Sequence, residues 1–175
     1  MANYREIVTK AVIAKGKKTF INNDSVTLDN SPSTVLGCWV INHNFRGTKN
    51  ADTISIDGSY DVNIWYSYDN DTKTDVVKVT NNYNEIVHMR EVNTDTLNEE
   101  IIIRSLKQPN CIKTEIVNNK INYSIEKELG VELVGDVKVK IETTMDEDPW
   151  EEILEEADTD KEIDKVNDDY IEEIK

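Results

Sequence analysis

Apolar and polar residues alternate with a period of two through much of this chain. The clearest run is Tyr60–Tyr68. Tyr60, Val62, Ile64, Tyr66 and Tyr68 form one set; Asp61, Asn63, Trp65 and Ser67 form the other. Successive side chains of a strand point to opposite faces, so the first set is expected on a core face and the second in water. Trp65 then falls on the wet face, which is unusual for so large an apolar side chain. Ile112, Thr114 and Ile116 alternate with Lys113 and Glu115, and Ile121, Tyr123 and Ile125 alternate with Asn122, Ser124 and Glu126. Asn118-Asn119 lies between those two runs, and Asn tolerates the left-handed conformation of a tight turn, so a β-hairpin is predicted.

Further strands are predicted over Ile7–Ala14, Asp75–Thr80, Tyr83–Val92, Glu100–Leu106 and Val137–Ile141. Gly130 and Gly135 punctuate the approach to the last. Val35–Ile41 is apolar on both faces and suits a central strand covered on both sides. Pro32 and Pro109 fall between runs, where a missing N–H donor costs nothing. Many short strands parted by turn residues, with no long helical pattern, predict an all-β body: an antiparallel β-sandwich or a barrel-like sheet.

The period changes near the end. Trp150, Ile153, Leu154 and Ala157 recur at helical spacing, and Ile163, Val166, Tyr170 and Ile174 continue it after a gap. Asp148-Pro149-Trp150-Glu151 carries helix-start signals: a capping Asp, Pro at the first helical position, and a Glu placed for a capping box. The same stretch is strongly acidic. Residues 146–175 hold fifteen acids and three lysines, about −12 of the −15 on the whole chain. The expected organisation is a β-rich body over 1–145 and an acidic tail over 146–175. Self-repulsion should leave that tail disordered or fraying when free, and helical when its apolar stripe meets a groove.

The charge narrows the function. Neutralising phosphates needs Lys and Arg, so nucleic acid is not an expected partner. The one basic cluster (Lys10, Lys15, Lys17 and Lys18, with Arg5 before them) reads as a solvated strand end, with attraction to an acidic tail as the alternative. No apolar run reaches membrane-spanning length and the N-terminus lacks a signal-like apolar core, so membrane insertion is not expected and a cytoplasmic protein is. Cys38 and Cys111 each sit in an apolar run and read as buried thiols in a reducing compartment. Their even count leaves a disulfide open.

No catalytic constellation, phosphate loop or metal-ligand spacing is present, so neither enzyme activity nor a cofactor nor a metal is expected. His43 reads as a hydrogen-bonded structural residue. Asp69-Asn70-Asp71 lacks the Gly and Glu of a calcium loop and reads as an exposed turn. Trp65 has two readings, a cross-strand contact beneath a neighbouring segment or an anchor in a subunit contact. Trp150, Ile153 and Leu154 are the candidates for capturing a partner. A different class of function, a β-sandwich module binding glycan or peptidoglycan, would use Trp39, Trp65, Tyr66 and Tyr68.

Several ordered blocks carry a family resemblance. Tyr4–Lys17, Pro32–His43, Tyr60–Tyr68 with the following Asn70 and Thr72–Thr74, and Gln108–Cys111 resemble outer spore coat protein E (CotE), a family of morphogenetic proteins of endospore-forming bacteria. The likeness runs from about Tyr4 to Ile141, and the acidic, Trp-bearing end fits it. It implies a non-enzymatic scaffold that self-assembles around the forespore and recruits outer spore coat proteins. It further implies attachment through a basement layer containing a morphogenetic ATPase, and residence in the mother-cell cytoplasm at the forespore surface and then in the spore coat. Two features depart from the family pattern. Cys38 stands where Gly is expected, and the tail has more Ile, Lys and Asn and fewer tryptophans.

Overall fold

A computed structural model describes residues 3–89 and 97–143. Residues Glu6–Ile141 make one compact unit; Met1–Arg5 and Glu142–Lys175 make a second, of which only residues 3–5 and 142–143 are described. The described chain is six long strands: β1 (Asn3–Thr27), β2 (Pro32–Asn50), β3 (Thr53–Tyr68), β4 (Lys73–His88), β5 (Leu97–Val117) and β6 (Lys120–Thr143). They form two three-stranded sheets ordered β1-β6-β5 and β2-β3-β4. The all-β fold expected from the alternation is the one found, as a β-sandwich.

Inter-sheet contacts give the stacking order. β1 lies by β4 (Asn22 Nδ2 donates to Glu85 Oε1 at 3.2 Å), β6 by β3 and β4 (Tyr123 Oη donates to Asn81 Oδ1 at 3.0 Å), and β5 by β2 (a Cβ on Gly47 would lie 3.3 Å from Ile101). Between the sheets one core joins Ile54, Ile56, Tyr60, Val62 and Ile64 of β3 to Ile121, Tyr123, Ile125, Leu129 and Val131 of β6. Both are central strands, so each presents one whole face to the opposite sheet.

The strands are fewer and longer than the expected set. Asp75–Thr80 and Tyr83–Val92 fall largely on one strand, β4, with Met89 beyond its end and 90–92 outside the described residues. Glu100–Leu106 and Ile112–Ile116 are both β5; Pro109, expected between strands, is buried within it at a register shift of this edge strand, where a missing donor is tolerated. β6 runs through Gly130 and Gly135, expected as punctuation, without a break. Gly130 instead makes room for Leu106: a Cβ there would lie 2.9 Å from Leu106 Cδ1. The predicted hairpin is found, with Val117 paired to Lys120 and Asn118 at φ 55°. The Asp69–Asp71 segment is an exposed turn with three consecutive positive φ values, closed by the Thr72 N–H on the Asp69 carbonyl at 3.2 Å.

A candidate interaction surface and the network behind it

β2 is an edge strand, where a central one was expected from Val35–Ile41. Its double-sided apolar character has another cause. Register shifts at Val35/Gly37 and Ile41/Asn44 each insert an extra residue and reverse the alternation. Val35, Cys38 and Val40 therefore pack on the core, while Leu36, Trp39 and Ile41 stay exposed. Beyond the second shift the phase flips, and Phe45 joins the core. Asn42, at φ 56°, is the residue that makes this turn-over.

Trp65 lies on the outer face of β3, 43 % exposed, as its phase in the alternation requires. It pairs with Gly37 on one side and with the exposed Val76 on the other. Trp39, 44 % exposed, stands two residues beyond Gly37 on the same face. A Cβ on Gly37 would lie 3.5 Å from Trp39 Cζ3 and 4.0 Å from Trp65 Cε3, so the two indoles flank the bare backbone of that glycine. Tryptophans of two strands thus form an open apolar patch with Val76 and Ile41. Exposed aromatics of this kind are over-represented at the energetic centres of protein contacts. Tyr66 is buried and Tyr68 half-buried on the opposite face, so the four aromatics considered for a glycan do not share a surface. Trp150, Ile153 and Leu154 lie outside the described residues.

The polar residues beside Trp65 are held firmly. Asp61, Asn63 and Ser67 were expected in water but are buried at 8 %, 8 % and 2 % exposure, because strands on both sides of β3 cover them. Asp61 accepts hydrogen bonds from Thr80 Oγ1 at 2.6 Å, Asn42 Nδ2 at 2.7 Å and Lys78 Nζ at 3.1 Å. These donors hold its pKa down at about 2, the Thr80 hydroxyl contributing most. One carboxylate thereby ties β2, β3 and β4 together on the outer face.

The opposite face of the same sheet meets a residue the alternation carries but that was not singled out. Lys127 follows Ile121, Tyr123 and Ile125 in phase and is fully buried. Its ammonium donates to Glu85 Oε1 at 2.9 Å and to Asn22 Oδ1, and stands 3.9 Å from the Tyr83 ring centroid. Tyr60 and Phe20 complete an aromatic surround at 5.9 and 5.5 Å. The buried cation is therefore paired, hydrogen-bonded and faced by rings, the conditions under which a charge survives in a core. A lysine two residues beyond a run of core positions was the signal available in the sequence.

His43 is hydrogen-bonded, as expected. Its Nε2 meets Tyr83 Oη at 2.7 Å and Nδ1 meets Gln108 Oε1 at 3.4 Å; protonation on Nδ1 satisfies both, with the tyrosine donating to Nε2. Burial, more than the Lys127 charge, pushes its pKa below the ordinary value. The basic cluster of β1 is engaged within the unit. Lys10 pairs with Glu100 at 3.5 Å, Lys15 with Glu132 at 3.0 Å and Lys17 with Glu128 at 3.0 Å. Among the described residues no group of His, Cys, Asp or Glu is placed to hold a metal ion, and no helix is long and apolar enough to cross a membrane.

A family model described as outer spore coat protein E (CotE) matches residues 3–173. The chain belongs to this family. CotE membership makes it a spore coat protein, and the sandwich is the fold in which this CotE chain is built. No curated protein and no solved structure matches it.

Proposed function

We propose that the chain is a non-enzymatic morphogenetic scaffold of the endospore coat. Its body (1–145) self-associates through the outer face of β2 and β3, and its acidic tail (146–175) recruits outer coat proteins through Trp150, Ile153 and Leu154. The basement-layer ATPase is its anchor, and it acts at the forespore surface in the mother cell before becoming part of the coat. The observation that carries the self-association is the exposed Trp39–Trp65 pair on a sheet face whose polar neighbours are fixed by hydrogen bonds across the strands.

Magnitude supports a scaffold rather than a tight dimer. Covering the exposed parts of both indoles removes roughly 200 Å² of apolar surface, on the order of 5 kcal/mol. Immobilising a free partner costs about as much or more. One patch alone therefore gives a weak contact, and lasting association needs several copies engaged at once, as in a layer.

The test is static light scattering of the full chain against W39S/W65S and against a chain ending at residue 145. Loss of the indoles is expected to lower the assembled mass while the far-ultraviolet β signal stays unchanged. Truncation is expected to leave the mass per subunit array intact but abolish binding to purified outer coat proteins. Undiminished assembly of W39S/W65S would overturn the assigned surface, and full client binding by the truncated chain would overturn the role of the tail.

A further inference from the structure

Cys38 and Cys111 are far apart in sequence and meet in the fold. Cys38 lies on β2, Cys111 on β5, the edge strands of the two sheets on the same open side of the sandwich. Both thiols are free, half-buried and packed against the core. They line one cavity of about 240 Å³ together with Val35, Ile112 and Lys113. Cys111 is the neighbour that, after burial, raises the pKa of Cys38, and Tyr123, from the central strand β6, feels the charge of both.

From this juxtaposition we infer that Cys38 and Cys111 form a built site for an intramolecular disulfide that clasps the two sheets, closed by a small-molecule disulfide such as oxidised glutathione. The balance is simple. Two protein thiols and one external disulfide give one protein disulfide and two external thiols; the protein loses two hydrogens and the reagent gains them.

The two cysteines have different parts in the exchange. Burial, reinforced by the neighbouring thiol, pushes the pKa of Cys38 far above the ordinary range, so Cys38 is a poor first nucleophile. Cys111 lines the same cavity, where its thiol donates to the Lys113 carbonyl at 3.6 Å; with Cys38 disfavoured, Cys111 is the first attacker. Cys111 attacks the external disulfide, releases one thiol and carries the other as a mixed disulfide. Cys38 gives its proton to solvent and displaces the second thiol. The bond closes a loop of roughly 70 residues containing β3 and β4, so it removes much chain freedom from the unfolded state.

The experiment is incubation of the full-length protein with excess oxidised glutathione, followed by intact-mass measurement, peptide mapping and thermal unfolding with and without reductant. The expected result is a monomer two hydrogens lighter, with the Cys38 and Cys111 peptides joined. Its melting temperature should be higher by about 10 °C and return to the starting value on reduction. C38S is expected to stop at a glutathione adduct on Cys111, and C111S to remain largely unmodified; neither should gain stability. Both single variants conserve size, so both should fold. A doubly glutathionylated wild type, a disulfide joining two chains, or persistent free thiols under conditions that oxidise an exposed dithiol would each overturn the inference.

Discussion

Removing the buried ammonium is the most direct test of how the two sheets are held together. In K127A the carboxylate of Glu85 and the amide of Asn22 lose their common partner, and the Tyr83 face loses the cation 3.9 Å from its centroid. Deleting one member of a buried pair costs about 3–5 kcal/mol, because the Glu85 charge left behind, mostly shielded from water, keeps only the Asn22 amide as a donor. A domain of this size has a total of roughly 5–15 kcal/mol, so about a fifth or more of its stability is at stake. With a urea dependence of about 2 kcal/mol/M, the midpoint should fall by about 2 M. The paired change K127M/E85Q removes both charges while keeping an unbranched side chain against the rings and an amide that Asn22 can still bond. It should lie within about 2 kcal/mol of the wild type, since well-packed neutral replacements of buried pairs are tolerated. The assay is equilibrium urea unfolding of the full-length protein followed by tryptophan fluorescence and by circular dichroism, with coincident transitions required. A K127A midpoint within about 0.5 M of wild type, at unchanged slope, would refute the reasoning. The ammonium would then be reaching water, or the pair would contribute nothing.

Two further outcomes test the packing of the β2-β3-β4 sheet. The depressed pKa of Asp61, about 2, means that its contribution to stability is fully present above the unfolded-state pKa of about 4 and is lost as pH falls through about 2. D61N should therefore unfold at lower urea than wild type at about pH 6, and the gap should close progressively toward about pH 2; a gap independent of pH would discount the carboxylate. Gly58 pairs with Tyr83, and a Cβ there would overlap the Tyr83 ring and lie 2.7 Å from the Asn44 carbonyl oxygen. G58A should lose about 1–3 kcal/mol by calorimetry or urea titration, because the opposing atom is backbone and cannot swing aside. A neutral G58A would show that β2 and β3 yield more readily than their register suggests.

The alternation of residues determined much of this protein before any coordinates. Tyr60, Val62 and Ile64 lie on the core face and Trp65 on the outer one because side-chain direction in a strand follows from the backbone alone. The Asn118-Asn119 hairpin was legible for the same reason: left-handed φ is a property of the residue and its turn. The ordered blocks that resemble CotE were likewise present in the string of residues, and they fall within the family match over 3–173.

What the string could not decide was which strand is central. Val35–Ile41 reads as doubly covered, yet it is an edge strand whose phase is reversed by bulges; a bulge leaves no mark in the hydrophobic count, only in the pairing. Asp61 and Ser67 are polar by sequence and buried by position, because burial depends on which strands flank β3. The same holds for Lys127, whose lysine identity suggests water while its phase leads inward. Only the meeting of β6 with β3 and β4 supplies the carboxylate and the rings that make a buried charge stable. Placements of residues distant along the chain, Cys38 and Cys111 on one cavity and Trp39 and Trp65 either side of Gly37, are set by sheet stacking and strand register, which local periodicity does not encode.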